Sequence, residues 1–176
     1  MAWSDTDYHP YADETYPLSK HYGGPGVAGN MDKKNMQGLV IHITDGNTLL
    51  PNLKGTWETR WASAHFAVSK GGTMAQYVPL SQRAWAVDGS TIDRRWYSVE
   101  NVAVLGESLT DMQIRMCGYL LNWLNAEHGV PFALAGSPGD RGLGYHAMFT
   151  KSKPCPGQPV IDQLQDIVDF AVSLNG

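Results

Sequence analysis

Hydrophobic positions along this chain change period several times, and each change marks an element. The most regular stretch follows Leu109, where Ile114, Cys117, Leu120, Leu121 and Leu124 recur at three- and four-residue intervals. With Ser108 or Thr110 as a cap and Gly129 as a stop, it predicts a long amphipathic helix whose inner stripe includes Cys117. A second helix is expected over residues 159–174, with Ile161, Leu164, Ile167, Val168 and Ala171 turned inward. Over residues 38–44 the pattern becomes a short apolar run, Leu39, Val40 and Ile41 leading to His42 and Ile43, which predicts a buried strand. His42 then falls at that strand's C-terminal end, where α/β sheets hold their sites. Residues 64–69 and 73–78 flank Lys70, Gly71 and Gly72 and read as a hairpin, and residues 97–105 read as a further strand.

The remaining stretches show no sustained period. Residues 45–61, with Gly46, Pro51 and Gly55, read as a loop with room for a turn of helix. Residues 83–95 read as a surface loop, and residues 135–144 as a loop leading to His146. Residues 1–35 are polar, with turns at Pro10, Pro17 and the Gly/Pro cluster at 23–26. Four tyrosines, Tyr8, Tyr11, Tyr16 and Tyr22, predict that this irregular arm packs on a single domain formed by residues 36–176.

Composition narrows the function. A length of 176 residues suits one domain with a real core, and 43% apolar with 17% charged residues describes a globular chain. A net charge of −4 without a basic face excludes nucleic acid as the main partner. No stretch approaches the run of about 18 apolar residues that crosses a membrane, so no membrane insertion is expected. The N-terminus lacks a basic region followed by an apolar one, so no signal peptide is expected and folding in a cytoplasm is.

Three side chains stand out against this background. His42, His146 and Cys155 form the kind of set that holds a catalytic zinc, three protein ligands with the fourth position left to water. A structural zinc finger would need four ligands, usually in paired short spacings, and the chain has only two cysteines. Spacing alone leaves open whether the three are ligands or ordinary structural residues. Cys155 with His146 as a thiol peptidase is a further reading, weakened by Pro154 and Pro156 on either side of the thiol. His65, inside an apolar strand, reads as a core histidine, and His128 as a cation at a helix C-terminus.

Several motifs fall in a telling order: residues 38–44 ending in His42 and its neighbours, Ser63-Ala64-His65-Phe66, Gly72-Thr73, Gln76-Tyr77-Val78-Pro79, Arg83-Ala84-Trp85, Gly144-Tyr145-His146 and Cys155-Pro156-Gly157. Over roughly residues 36–175 the chain resembles the type 2, zinc-dependent N-acetylmuramoyl-L-alanine amidases, which include phage endolysins, murein-recycling amidases and peptidoglycan recognition proteins. The resemblance implies an α/β fold with a mixed central sheet flanked by helices. It also implies hydrolysis of the amide between N-acetylmuramic acid and L-alanine in peptidoglycan or muropeptides.

The resemblance implies roles residue by residue. It makes His42, His146 and Cys155 the Zn2+ ligands, Lys153 the oxyanion-stabilising lysine and Glu100 the general base, with Glu107 as the other candidate. Trp85 and Arg141 are expected to contact substrate. Two departures stand out: Trp85 is followed by Ala86, Val87, Asp88 and Gly89 where relatives commonly have His-Ala-Gly, and His42 is followed by Ile43 in place of a second histidine. A non-catalytic peptidoglycan-binding module of the same fold is the alternative, ranked lower because the Cys155 ligand is present. The expectation is a monomer that reaches the wall through phage lysis or dedicated export.

Overall fold

Six strands, six α-helices and three short 3-10 helices are present among the described residues of the computed structural model, which are 3–87 and 89–176. Asp88, in the stretch that departs from the family pattern, lies outside them. The strands are β1 (Glu14–Thr15), β2 (Gly38–Ile43), β3 (Phe66–Val68), β4 (Met74–Gln76), β5 (Trp96–Asn101) and β6 (Gly142–Tyr145). They form one sheet in the order β1-β4-β3-β5-β2-β6, with β3 and β4 antiparallel and every other pair parallel. All six residues of β2 are buried, as a parallel strand covered on both faces requires. Its continuous apolar run is the sequence trace of that position.

The helices are α1 (Leu50–Thr59), α2 (Ser90–Asp93), α3 (Asp111–His128), α4 (His146–Phe149), α5 (Gln158–Asp162) and α6 (Leu164–Ser173). Helix α3 is bounded as its sequence predicts. Thr110 and Gln113 form a reciprocal capping box, and Gly129 closes the end in a left-handed conformation. Its stripe of Cys117, Leu120, Leu121 and Leu124 packs with Ile167 and Val168 of α6 on Leu39, Ile41, Tyr97 and Val99 of the sheet. On the opposite face two smaller clusters cover the sheet. Leu50, Leu53 and Trp57 of α1 pack on Ala67, Ala75 and Tyr77, while Met148 and Phe149 of α4 pack with Val40 and Trp96.

The structure revises several expectations. Residues 50–59 form a full helix where a loop was expected, because Pro51 sits in the first turn, where a missing N–H costs nothing, and Gly55 faces solvent. The stretch expected as a loop before His146 contains β6. Helix 159–174 is broken at Gln163 into α5 and α6, and α2 interrupts the expected surface loop. Strand β5 ends at Asn101, so residues 102–105 lie outside the ladder. His128 packs on Tyr97 and Trp123, and burial lowers its pKa, opposite to the cation expected there.

Residues of the N-terminal segment join the sheet directly. Asp13, Tyr16 and Leu18 donate backbone N–H groups to Met74, Gln76 and Tyr77, which makes β1 an added edge strand. No helix among the described residues is long and apolar enough to cross a membrane.

Candidate active site

Strand alternation decides which side chains meet. Val40 and His42 of β2 share a face with Ser98 and Glu100 of β5, and the register sets His42 directly against Glu100. Both therefore emerge at the C-terminal ends of parallel strands, in the gap between the α1 and α4 clusters. Strand β6 runs beside β2 with Ile41 opposite Tyr145, so His146, the first residue of α4, arrives beside His42. The loop after α4 folds back: Ala147 N–H donates to the Cys155 carbonyl and Ile43 N–H to the Cys155 sulfur at 3.3 Å.

The result is a compact donor cluster. His42 Nδ1 and His146 Nδ1 lie 3.1 Å apart, and one ligand atom from each of His42, His146 and Cys155 lies within 4.8 Å of the other two. Burial, and then the neighbouring His146, push the His42 pKa well below its ordinary value, so the ring is neutral and ready to donate a lone pair. Burial, and then Glu100, push the Cys155 thiol up to about 12. Two imidazoles and one thiol, brought together from three segments, fit a borderline-soft divalent cation such as zinc and not a hard oxygen-seeking one. Cys117, by contrast, is fully buried in the helical core, as its place in the apolar stripe predicts.

Glu100 adds a second signature. Its Oε2 is buried with no hydrogen-bond partner among the described residues, and burial raises its pKa to about 8. Such an orphan carboxylate oxygen costs stability unless a ligand or water meets it. A cleft of about 560 Å³ opens over the cluster, lined by His42, Glu100, His146, Lys153 and Cys155, by Thr44, Asp45 and Thr48, by Leu53, Thr56, Trp57 and Arg60 on the α1 side, and by Ser63 and Trp85. Trp85 is fixed there: its indole N–H donates to Gly23 O at 3.0 Å and its backbone N–H to Ser63 Oγ at 2.9 Å.

Two sequence candidates lie elsewhere. Glu107 pairs with Lys70 at 2.9 Å and accepts the Val104 N–H, outside the cleft lining. Arg141 precedes β6, at the end of the strand away from His146, and its guanidinium donates to the carbonyls of Met36 and His128. A substrate contact by Arg141 is therefore not kept. His65 is fully buried, with Nε2 3.0 Å from Gln82 O and Nδ1 3.1 Å from Ser98 Oγ, and burial lowers its pKa to about 3. From sequence Trp57 is expected beside the cleft but in a loop, so Leu53 and Thr56, which share its helix α1 and line the cleft with it, were not found.

A family profile described as N-acetylmuramoyl-L-alanine amidase matches residues 32–158. Among solved structures the fold is similar to the endolysin N-acetylmuramoyl-L-alanine amidase LysCS from Clostridium intestinale URNW, with 16% identity and a TM-score of 0.61 over 95% of this chain and 99% of that one. It is also similar to AmpD, in a selenomethionine derivative, with 19% identity and a TM-score of 0.65 over 96% of this chain and 99% of that one. The hydrolase AmiA from Staphylococcus aureus, solved with its ligand, has 16% identity and a TM-score of 0.64 over 92% of this chain and 83% of that one. No curated protein matches the chain. At these identities the solved structures establish the fold, while the profile spans β2, β5, β6 and every segment that contributes to the donor cluster. The chain belongs to the N-acetylmuramoyl-L-alanine amidase family.

Proposed function

We propose that this amidase cleaves the bond between N-acetylmuramic acid and L-alanine with a zinc ion held by His42, His146 and Cys155. The observation that supports it most is the convergence of the three donor atoms within 4.8 Å beside a buried, unpartnered Glu100 carboxylate oxygen. Zinc bound there supplies a Lewis acid for the scissile carbonyl and its attacking water. Glu100 takes the proton from that water and passes it to the leaving amine of L-alanine. Lys153 sets its ammonium against the carbonyl oxygen as negative charge builds there. Trp85 and the α1 wall hold the substrate over these groups.

The thiol-peptidase reading loses its support, because burial pushes Cys155 up to about 12, the reverse of an activated nucleophile. We further infer a monomer that acts on the wall after phage lysis or dedicated export.

The test is mass spectrometry of purified peptidoglycan after incubation with the protein, with chelator, and with chelator followed by zinc. The expected products are free stem peptides beginning at L-alanine, lost with chelator and recovered with zinc. Direct metal analysis is expected to find about one zinc per chain, and much less in Cys155→Ser. Intact glycan–peptide linkages from a protein that nevertheless holds zinc would overturn the assignment.

A further inference from the structure

One exposed aromatic group borders the cleft without any role in the chemistry described above. Trp61 follows α1 between Arg60 and Ala62, both of which line the cleft, yet 82% of its surface is exposed. Its ring is nonetheless held in a defined place. It stacks nearly parallel on Trp85, 15° between planes and 5.8 Å between centroids, and on His21, 29° and 5.3 Å. His21 and Trp85 are themselves 5.6 Å apart, so the three rings form one cluster.

The backbone around the cluster is built to hold it. His21 has φ of +63°, a conformation that a residue with a side chain adopts only at a cost. Its Nδ1 lies 2.6 Å from Trp57 O, and its carbonyl accepts the Ser63 hydroxyl. Trp85 is pinned through Gly23 O. His21 Nδ1 and the Trp85 indole N–H are thus spent on the protein, and what Trp61 and Trp85 offer is aromatic surface. Removing Trp61 from such a position leaves no internal cavity, so stability does not explain its presence.

We propose that Trp61, seated on His21 and Trp85, is a stacking subsite for a pyranose of the glycan strand adjoining the muramic acid, so that the enzyme favours substrates of two or more sugars. The inference rests on the amidase reading. The substrate of that reaction extends from the scissile amide in two chemically different directions, a carbohydrate on the acyl side and a peptide on the amine side. A neutral N-acetylhexosamine presents a flat face of C–H groups, which suits the electron-rich face of an indole. A stem peptide presents carboxylates and no flat apolar face, so an aromatic stack gives it little. Arg60, which lines the cleft beside Trp61, borders the platform with donors for hydroxyl and acetamido oxygens, while Arg83, 5.7 Å over the Trp85 ring, is tied to Ala28 O and Asp93 and backs the cluster.

The test compares two defined substrates with the same stem peptide, one carrying N-acetylmuramic acid alone and one carrying N-acetylglucosaminyl-N-acetylmuramic acid. The wild-type kcat/KM is expected to favour the disaccharide by about tenfold. In Trp61→Ala that ratio is expected to fall to about one, and in Trp61→Phe to remain partly, with the melting temperature of both variants unchanged. Equal kcat/KM on the two substrates in wild type, or a preference that survives Trp61→Ala, would overturn the subsite and leave the amidase reading standing. Failure to cleave either substrate would overturn the amidase reading instead. NMR titration of the zinc-loaded protein with di-N-acetylchitobiose, which has no scissile amide, then decides the platform by itself: a shifted Trp61 indole resonance supports it, and an unmoved one overturns it.

Discussion

Glu100 and Glu107 show what one carboxylate position can mean. Glu100 sits where its charge is penalised, with its pKa raised to about 8 by burial and one oxygen unpartnered. Glu107 is half-exposed, and hydrogen bonds from Lys70 and Val104 lower its pKa. Of the two, Glu100 is the one that lines the cleft with the donor cluster, and it is the one proposed as the base. Glu100→Gln keeps the side chain's volume and removes the proton acceptor, so kcat is expected to fall about 10²- to 10⁴-fold while zinc content stays unchanged. Steady-state kinetics beside metal analysis checks it, and full activity in the variant would remove Glu100 from the mechanism. The family pattern suggested both glutamates because register is not written in a strand's composition. A slip of one residue turns every side chain to the other face, and the pairing of His42 with Glu100 puts Glu100 on the face of the donor cluster. The two cysteines separated more readily, since Cys117 lies in an apolar stripe of helical period and Cys155 between prolines.

At the scale of elements, α3 was legible from its helical period between caps, and β2 from a short unbroken apolar run. Strand β6 was not legible, because Gly142 and Gly144 hide a strand inside what composition marks as a loop. Their reason is close approach. Gly142 has φ of +134°, and a Cβ there would fall on the Ala133 carbonyl, while a Cβ on the facing Gly38 would fall on the Gly142 carbonyl. The strand that delivers His146 can therefore lie between β2 and the segment around Ala133 only if Gly38 and Gly142 carry no side chains. Gly142→Ala drives a methyl into the Ala133 carbonyl beside β6 and combines strain at positive φ with that backbone clash, for which a cost of several kcal/mol is expected. The expected outcome is a lowered melting temperature together with weakened zinc binding, since His146 moves with β6. An unchanged melting temperature and unchanged zinc affinity would show that β6 does not position the ligand.

The arm packs on the rest of the molecule, as its tyrosines suggested, but the residues it meets lie far along the chain and were not legible in the sequence. His9 is buried between Phe66 and Trp123, its backbone N–H donates to the Gln76 side chain at 2.8 Å, and Gln76 returns a bond to the Asp7 carbonyl. Burial lowers the His9 pKa from its ordinary 6.5 to about 4. Below pH 6.5 the unfolded chain takes up a proton that the folded ring refuses. The stability tied to neutral His9 is therefore full above pH 6.5 and is lost progressively as pH falls towards 4. His65 acts in the same direction, and metal-free Glu100, with its pKa raised to about 8, acts in the opposite one. Total acid sensitivity is thus a poor guide, but the difference between two proteins that share His65 and Glu100 isolates His9. In His9→Asn, the amide oxygen can still accept the Tyr11 N–H that His9 Nδ1 accepts, and nothing titrates. Urea unfolding at pH 7 and pH 5 is expected to show the wild type losing about 2 kcal/mol more than the variant between the two conditions. Parallel losses in both would mean that His9 is not held neutral, and that the arm does not unfold with the sheet it borders.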